Sequence, residues 1–126
     1  MKYFSLNKQS PIVNFKEATI LGQAPDKGLY FPEHIPVHAT NFIDQLKNLS
    51  KEEIAFRVME PFVGDEIPDD ELYRLVCETV NFSFPLKWIH STIASLELYH
   101  GPTFAFKDVG ARFMSRCLSY FYKNQS

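Results

Sequence analysis

Apolar residues recur along this chain at helical spacing in several stretches and alternate with polar ones in two, and that pattern alone predicts most of its elements. Asn14-Phe15-Lys16-Glu17 has the form of a capping box, an N-cap side chain with an acid three residues on, so a short helix should run from there to Gly22. Thr40 to Lys47 reads as another short helix. Ser50-Lys51-Glu52-Glu53 repeats the capping box ahead of Ile54, Ala55, Val58, Met59 and Phe62, with Pro61 expected to end that segment. Pro68 opens the next helix; Asp69, Asp70 and Glu71 fill its first turn, where the helix dipole favours acids, and Leu72, Leu75, Val76 and Val80 form its buried stripe.

Between the first two helices, Pro25, Gly28, Pro32 and Pro36 forbid helix, and residues 23–36 read as an ordered loop. Leu29, Tyr30, Phe31 and Ile35 are too apolar for a free linker and are expected to dock on the body of the protein. From Pro85 the period changes to two. Leu86-Lys87-Trp88-Ile89 and Ala94 to Tyr99 predict a hairpin, broken by His100-Gly101-Pro102-Thr103. A last amphipathic helix should begin near Asp108, with Val109, Phe113, Cys117 and Phe121 as its stripe, Met114 and Leu118 widening it, and Arg112, Ser115, Ser119 and Lys123 opposite. The fold class is therefore α+β: a mainly helical amino-terminal region over residues 1–84, then a hairpin and one helix over 85–126.

Composition narrows the function classes. A net charge of −2 gives no basic field for nucleic acid, and no apolar run reaches membrane-spanning length. Cys77 and Cys117 lack a C-x-x-C spacing and fall on apolar helix faces, as buried, inert thiols do, which suits a cytoplasmic setting. His34 and His38 are separated by Pro36, so no helix presents them together and no metal site is expected. The acids around Asp69 are explained by the helix start they occupy. The unusual feature is aromatic content, 15% with twelve Phe and six Tyr, more than so small an interior hides. Part of it should cover another surface, a second copy or further polypeptide.

The chemistry-bearing segment is Leu98 to Met114. Lys107 stands between Phe106 and the helix start at Asp108, with Phe104 nearby. Aromatic neighbours would dehydrate the amine and, with the positive end of the helix, lower its pKa from about 10.4, as a nucleophilic amine requires. Asp108 opposes this unless its carboxylate turns away to cap the helix. Local physics alone favours an ordinary surface lysine after a loop.

H-G-P-T-F-A-F-K-D-V-G-A-R-F-M, residues 100–114, resembles the cofactor-lysine motif of the threonine synthase family, which belongs to the pyridoxal-phosphate enzymes that include the tryptophan synthase β chain. The similarity continues in S-P-I-V-N-F-K-E-A (10–18), G-L-Y-F-P-E-H-I-P (28–36) and E-I-P-D-D-E-L (66–72), in the family's order along nearly the whole chain. Two departures stand out. Leu6-Asn7-Lys8-Gln9 replaces an S-T-R-G-like stretch, which puts contacts of the family's early arginine in doubt, and Lys27 stands where glycine is usual.

The resemblance implies that Lys107 bonds the pyridoxal phosphate aldehyde and then moves protons at Cα and Cβ of O-phospho-L-homoserine, which with water becomes threonine and phosphate. It makes Phe106 a packing surface for the cofactor, gives Asp108 a capping and positioning role, and places His100, Gly101, Pro102 and Thr103 in the pocket wall. A related phospho-amino-acid lyase or dehydratase is the nearest competing reading, and a noncatalytic interaction domain the other. A cofactor site also needs a cup of backbone N–H groups for its phosphate, and the isolated Gly22, Gly28, Gly64, Gly101 and Gly110 cannot build one. The chain is thus expected to be the amino-terminal part of a longer enzyme, inactive alone, partnered by the rest of its own polypeptide and inclined to self-associate through the face of its last helix.

Overall fold

The computed structural model describes residues 1–123. Chain order is β1 (Lys2–Ser5), β2 (Val13–Asn14), α1 (Phe15–Leu21), β3 (Tyr30–Pro32), α2 (Thr40–Gln45), α3 (Lys51–Val63), α4 (Asp69–Thr79), β4 (Leu86–His90), β5 (Ile93–Leu96) and α5 (Asp108–Lys123). The α+β class and every predicted helix are present. Both capping boxes form as read: the Asn14 side chain accepts from the Glu17 amide and the Ser50 side chain from the Glu53 amide, each reciprocated by the glutamate. α2 is shorter than expected and continues as a 3-10 turn over Leu46–Asn48.

The core is built where the stripes of α3, α4 and α5 meet. Val63, Ile67, Leu72, Leu75, Val76 and Val80 pack with Phe113, Cys117 and Phe121, and α1 adds the Phe15 ring, 6.1 Å from that of Phe121. Each large side chain removed from water here contributes about 2 kcal/mol. α5 therefore shares one interior with the elements before residue 84. Phe113, Cys117 and Phe121 of its apolar stripe are buried inside the molecule, while Met114 stays exposed.

Four other expectations change. Pro61 does not end α3. The helix runs on to Val63, which is fully buried, and Gly64 ends it with a φ of 63° that disfavours any residue with a Cβ. A proline in the last turn removes one hydrogen bond, less than the burial of Val63 returns. The amino terminus, given no element from sequence, forms a three-stranded antiparallel sheet in the order β2-β1-β3. In it Tyr3 faces Pro32, and Phe4 faces Phe31. The period of two buries Tyr3 and Ser5, and the Tyr3 hydroxyl donates to the Phe62 carbonyl at 2.7 Å, fastening the sheet to α3. Pro32 is tolerated because β3 is an edge. Third, Leu29, Phe31 and Ile35 are not docked: they stay 62%, 43% and 57% exposed, and only Tyr30 is half-buried. Their strand and the proline-rich path after it run over the surface.

The fourth is Arg112. Read as lying on the outer face of α5, it turns instead to the end of α4 and donates to the carbonyls of Glu78 (2.6 Å) and Thr79 (3.2 Å) and to Asn81 Oδ1 (2.8 Å). The last carbonyls of a helix have no partner within it, so they offer a polar target as good as water. Beyond this joint the β4–β5 hairpin stands clear, exposed along both strands and kinked where its register shifts between Trp88 and His90. β5 begins at Ile93 and ends at Leu96, short of the predicted Tyr99.

Candidate functional site

The loop from Glu97 to Lys107 connects the hairpin to α5 and, with Asp108 at the start of that helix, carries every candidate residue. Two side-chain ties pin it. At its start, His100 Nε2 lies 2.8 Å from Glu97 Oε2, and the imidazole stacks on Tyr99 with ring centroids 4.7 Å apart. The hydrogen bond from His100 holds the Glu97 carboxyl below its usual range, and the same carboxylate raises the Tyr99 hydroxyl. Near its end the loop is tied to Asp108, which is only 2% exposed. One carboxylate oxygen accepts from the Thr103 amide at 2.9 Å, the other from the Thr103 hydroxyl at 2.5 Å. Those bonds keep the Asp108 carboxyl below the usual aspartate range, so it stays ionised at neutral pH.

Asp108 therefore does not cap α5 with its side chain, as sequence reasoning had it; the carboxylate reaches backwards to the loop. Gly101 is buried against it, and a β-carbon there would collide with the carboxylate, 3.0 Å from Cγ. Between the ties the chain makes two turns. The Phe104 amide donates to the Gly101 carbonyl and the Asp108 amide to the Ala105 carbonyl, both at 3.1 Å, while Phe104 takes a φ of 55° that a bulky residue seldom adopts. Lys107 follows as the residue whose carbonyl accepts the Ala111 amide at 2.9 Å, which sets it at the mouth of α5.

The turns face the Lys107 side chain outwards. It is exposed, and its amine has no hydrogen bond or ion pair with the described residues. The dehydration argued from sequence is missing, because Phe104 and Phe106 are themselves 80% and 75% exposed. Pro102 is exposed beside them, while Gly101 and Thr103 face Asp108. The structure thus joins Gly101, Thr103 and Asp108 into one knot and leaves Lys107, Phe104 and Phe106 as an open rim. Glu97 was missed from sequence, although the E-x-x-H spacing to His100 was the available signal. Arg112 was misread, since a polar helix position gives no sign of whether it meets water or a helix end.

Lys107 stands exposed at the start of the sixteen-residue helix α5, on a loop fixed from behind by a buried carboxylate. Comparison with known proteins makes this specific. Residues 2–80 match the family model described as the threonine synthase N terminus. Threonine synthase of Pseudomonas aeruginosa is 38% identical over 125 residues, 95% of this chain and 27% of that protein. Two solved structures agree in shape: Escherichia coli threonine synthase (34% identity, TM-score 0.91, 97% of this chain and 28% of that one) and pyridoxal-phosphate-bound threonine synthase of Brucella melitensis (36%, 0.93, 99% and 28%). The chain belongs to the threonine synthase amino-terminal family. It spans little more than a quarter of the length of these relatives.

Proposed function

We propose that these residues serve as the amino-terminal portion of a pyridoxal-phosphate-dependent threonine synthase, with Lys107 as the residue that bonds the cofactor, and that residues 85–126 open its catalytic domain. The observation that carries the reading is the unpaired amine of Lys107, turned outwards at the mouth of α5 inside the family motif. The chemistry of the residues fits this group in part. An amine free of ion pairs suits an aldehyde. A glycine-rich cup for the cofactor phosphate is not found among the described residues, so the cofactor needs polypeptide beyond them for tight binding.

When bound, pyridoxal phosphate supplies an electron sink for the carbanion at Cα of O-phospho-L-homoserine. Lys107 holds and returns the protons at Cα and Cβ, being tethered beside both. Phe106 packs on the cofactor ring. His100, braced by Glu97, would form part of the pocket wall. The free cysteines favour a cytoplasmic setting.

Reduction of the chain with borohydride in the presence of pyridoxal phosphate, followed by peptide mapping, tests the assignment. Preferential but substoichiometric label on Lys107 is the expected result. A label concentrated on another lysine removes the assignment, and tight stoichiometric binding by the 126 residues alone removes the need for further polypeptide. Trp88, Ile89, Phe104 and Phe106, between 68% and 80% exposed, are apolar side chains that such polypeptide would cover. In its absence the chain should self-associate through them: sedimentation equilibrium should give a mass that rises with concentration, and a monomer at millimolar concentration contradicts this.

A further inference from the structure

Three residues of the motif have no part in the chemistry just described, yet they are the most constrained positions of the loop. Asp108 is buried beside an exposed lysine, and both of its carboxylate oxygens are turned away from that lysine onto Thr103. Gly101 leaves the space the carboxylate occupies. The Thr103 hydroxyl is thereby committed, with no proton left to donate to a substrate. The consequence falls on Lys107, which joins the clamped loop to the rigid α5. Were the clamp to open, the turns at Gly101–Phe104 and Ala105–Asp108 would lose their brace, and the strained φ of Phe104 would relax.

Resting on the reading above, we infer that Thr103 and Asp108 are a positioning pair for Lys107, with Gly101 as the space the pair requires. The pair keeps the amine facing outwards at the mouth of α5, where an aldehyde can reach it. It acts through the backbone of residues 103–108 and touches neither cofactor nor substrate. Thr103 is then a brace and not a substrate-binding hydroxyl.

The test uses the 126-residue chain with two substitutions at one position, Thr103→Val, which removes the hydroxyl, and Thr103→Ser, which keeps it. Amide exchange at residues 103 and 104 is read by NMR, and the share of borohydride-fixed pyridoxal phosphate on Lys107 by peptide mapping. Unreactive Cys117 reports that the core is intact in every variant. Loss of one hydrogen bond to a charged group should cut protection about tenfold or more in Thr103→Val, with Ser restoring it. The share of label on Lys107 should fall severalfold in Val and recover in Ser. Unchanged protection and label in Val, or failure of Ser to restore them, overturns the inference. If the unsubstituted chain shows no preference for Lys107, the assignment of that lysine fails instead, and the exchange data still decide whether the pair braces the loop.

Discussion

Arg112 joins α5 to α4, and its removal has a calculable cost. Its guanidinium donates three hydrogen bonds, two to terminal carbonyls of α4 and one to Asn81, and stands 5.8 Å over the Phe82 ring. Arg112→Met keeps the stem and deletes only the donors. A hydrogen bond from a charged group contributes about 1.5–3 kcal/mol when the partner is dry. Here the group is half-exposed and water reaches the freed carbonyls, so the three together should be worth about 2 kcal/mol. For a chain of this size that lowers the melting temperature by roughly 8 °C. Urea unfolding followed by circular dichroism reads the change as a lower midpoint at constant slope, since the surface exposed on unfolding is the same. Arg112→Lys should recover less than half, because one ammonium cannot reach three acceptors fixed for a planar fork. A loss under about 0.5 kcal/mol in Arg112→Met, or full recovery by lysine, would refute the idea that this residue joins the two helices.

Two titrations follow from buried or bonded groups. The Asp26 carboxylate accepts from Ser5 Oγ at 2.6 Å, from the Gly28 amide at 2.9 Å and from the Gln9 amide at 2.9 Å, which lowers its pKa from 3.8 to about 2. A depressed carboxylate stabilises the fold above 3.8 and loses that effect as pH falls towards 2. Asp26→Asn should therefore be less stable at pH 7 and flatter between pH 4 and 2, as urea midpoints across that range would show; parallel profiles would contradict it. Cys117 is fully buried, and burial pushes its thiol from 9.0 up to about 12. Its raised value stabilises the fold below pH 9 and ceases to do so as pH climbs to 12, a loss that Cys117→Ala should remove, leaving the similar loss from Tyr3, which starts nearer 10. At pH 8 a thiol reagent should reach half-buried Cys77 and leave Cys117 untouched until denaturant is added; rapid reaction of both contradicts the packing.

Local signals were readable and long-range ones were not. The capping boxes at Asn14 and Ser50 were legible because their partners lie three residues apart, within reach of the chain's own geometry. The sheet was not, because β1 finds one partner at Val13 and another at Tyr30, and four residues beginning at Lys2 hold too little alternation to announce a strand. The site divides along the same line. Lys107 and Asp108 were visible through their motif, while their surroundings were inferred from neighbours in sequence, and neighbours in sequence proved poor guides. The rings of Phe104 and Phe106 adjoin Lys107 along the chain yet stand in solvent with it, whereas Thr103, five residues from Asp108, touches it.

The same reasoning explains why an exposed rim of Phe104 and Phe106 adjoins the lysine. A two-stranded hairpin with both faces in water is marginal by itself. A loop that holds Phe104 at positive φ also stores strain, and neither would persist without restraint from elsewhere. Within the described residues that restraint is the Asp108 knot behind the loop and the Arg112 joint beneath it, and nothing lies in front. The front is where Lys107 points. Covering that rim with further polypeptide would therefore dehydrate the amine and bury the aromatic rings in one step, supplying the environment that the motif implies and the 126 residues cannot create alone.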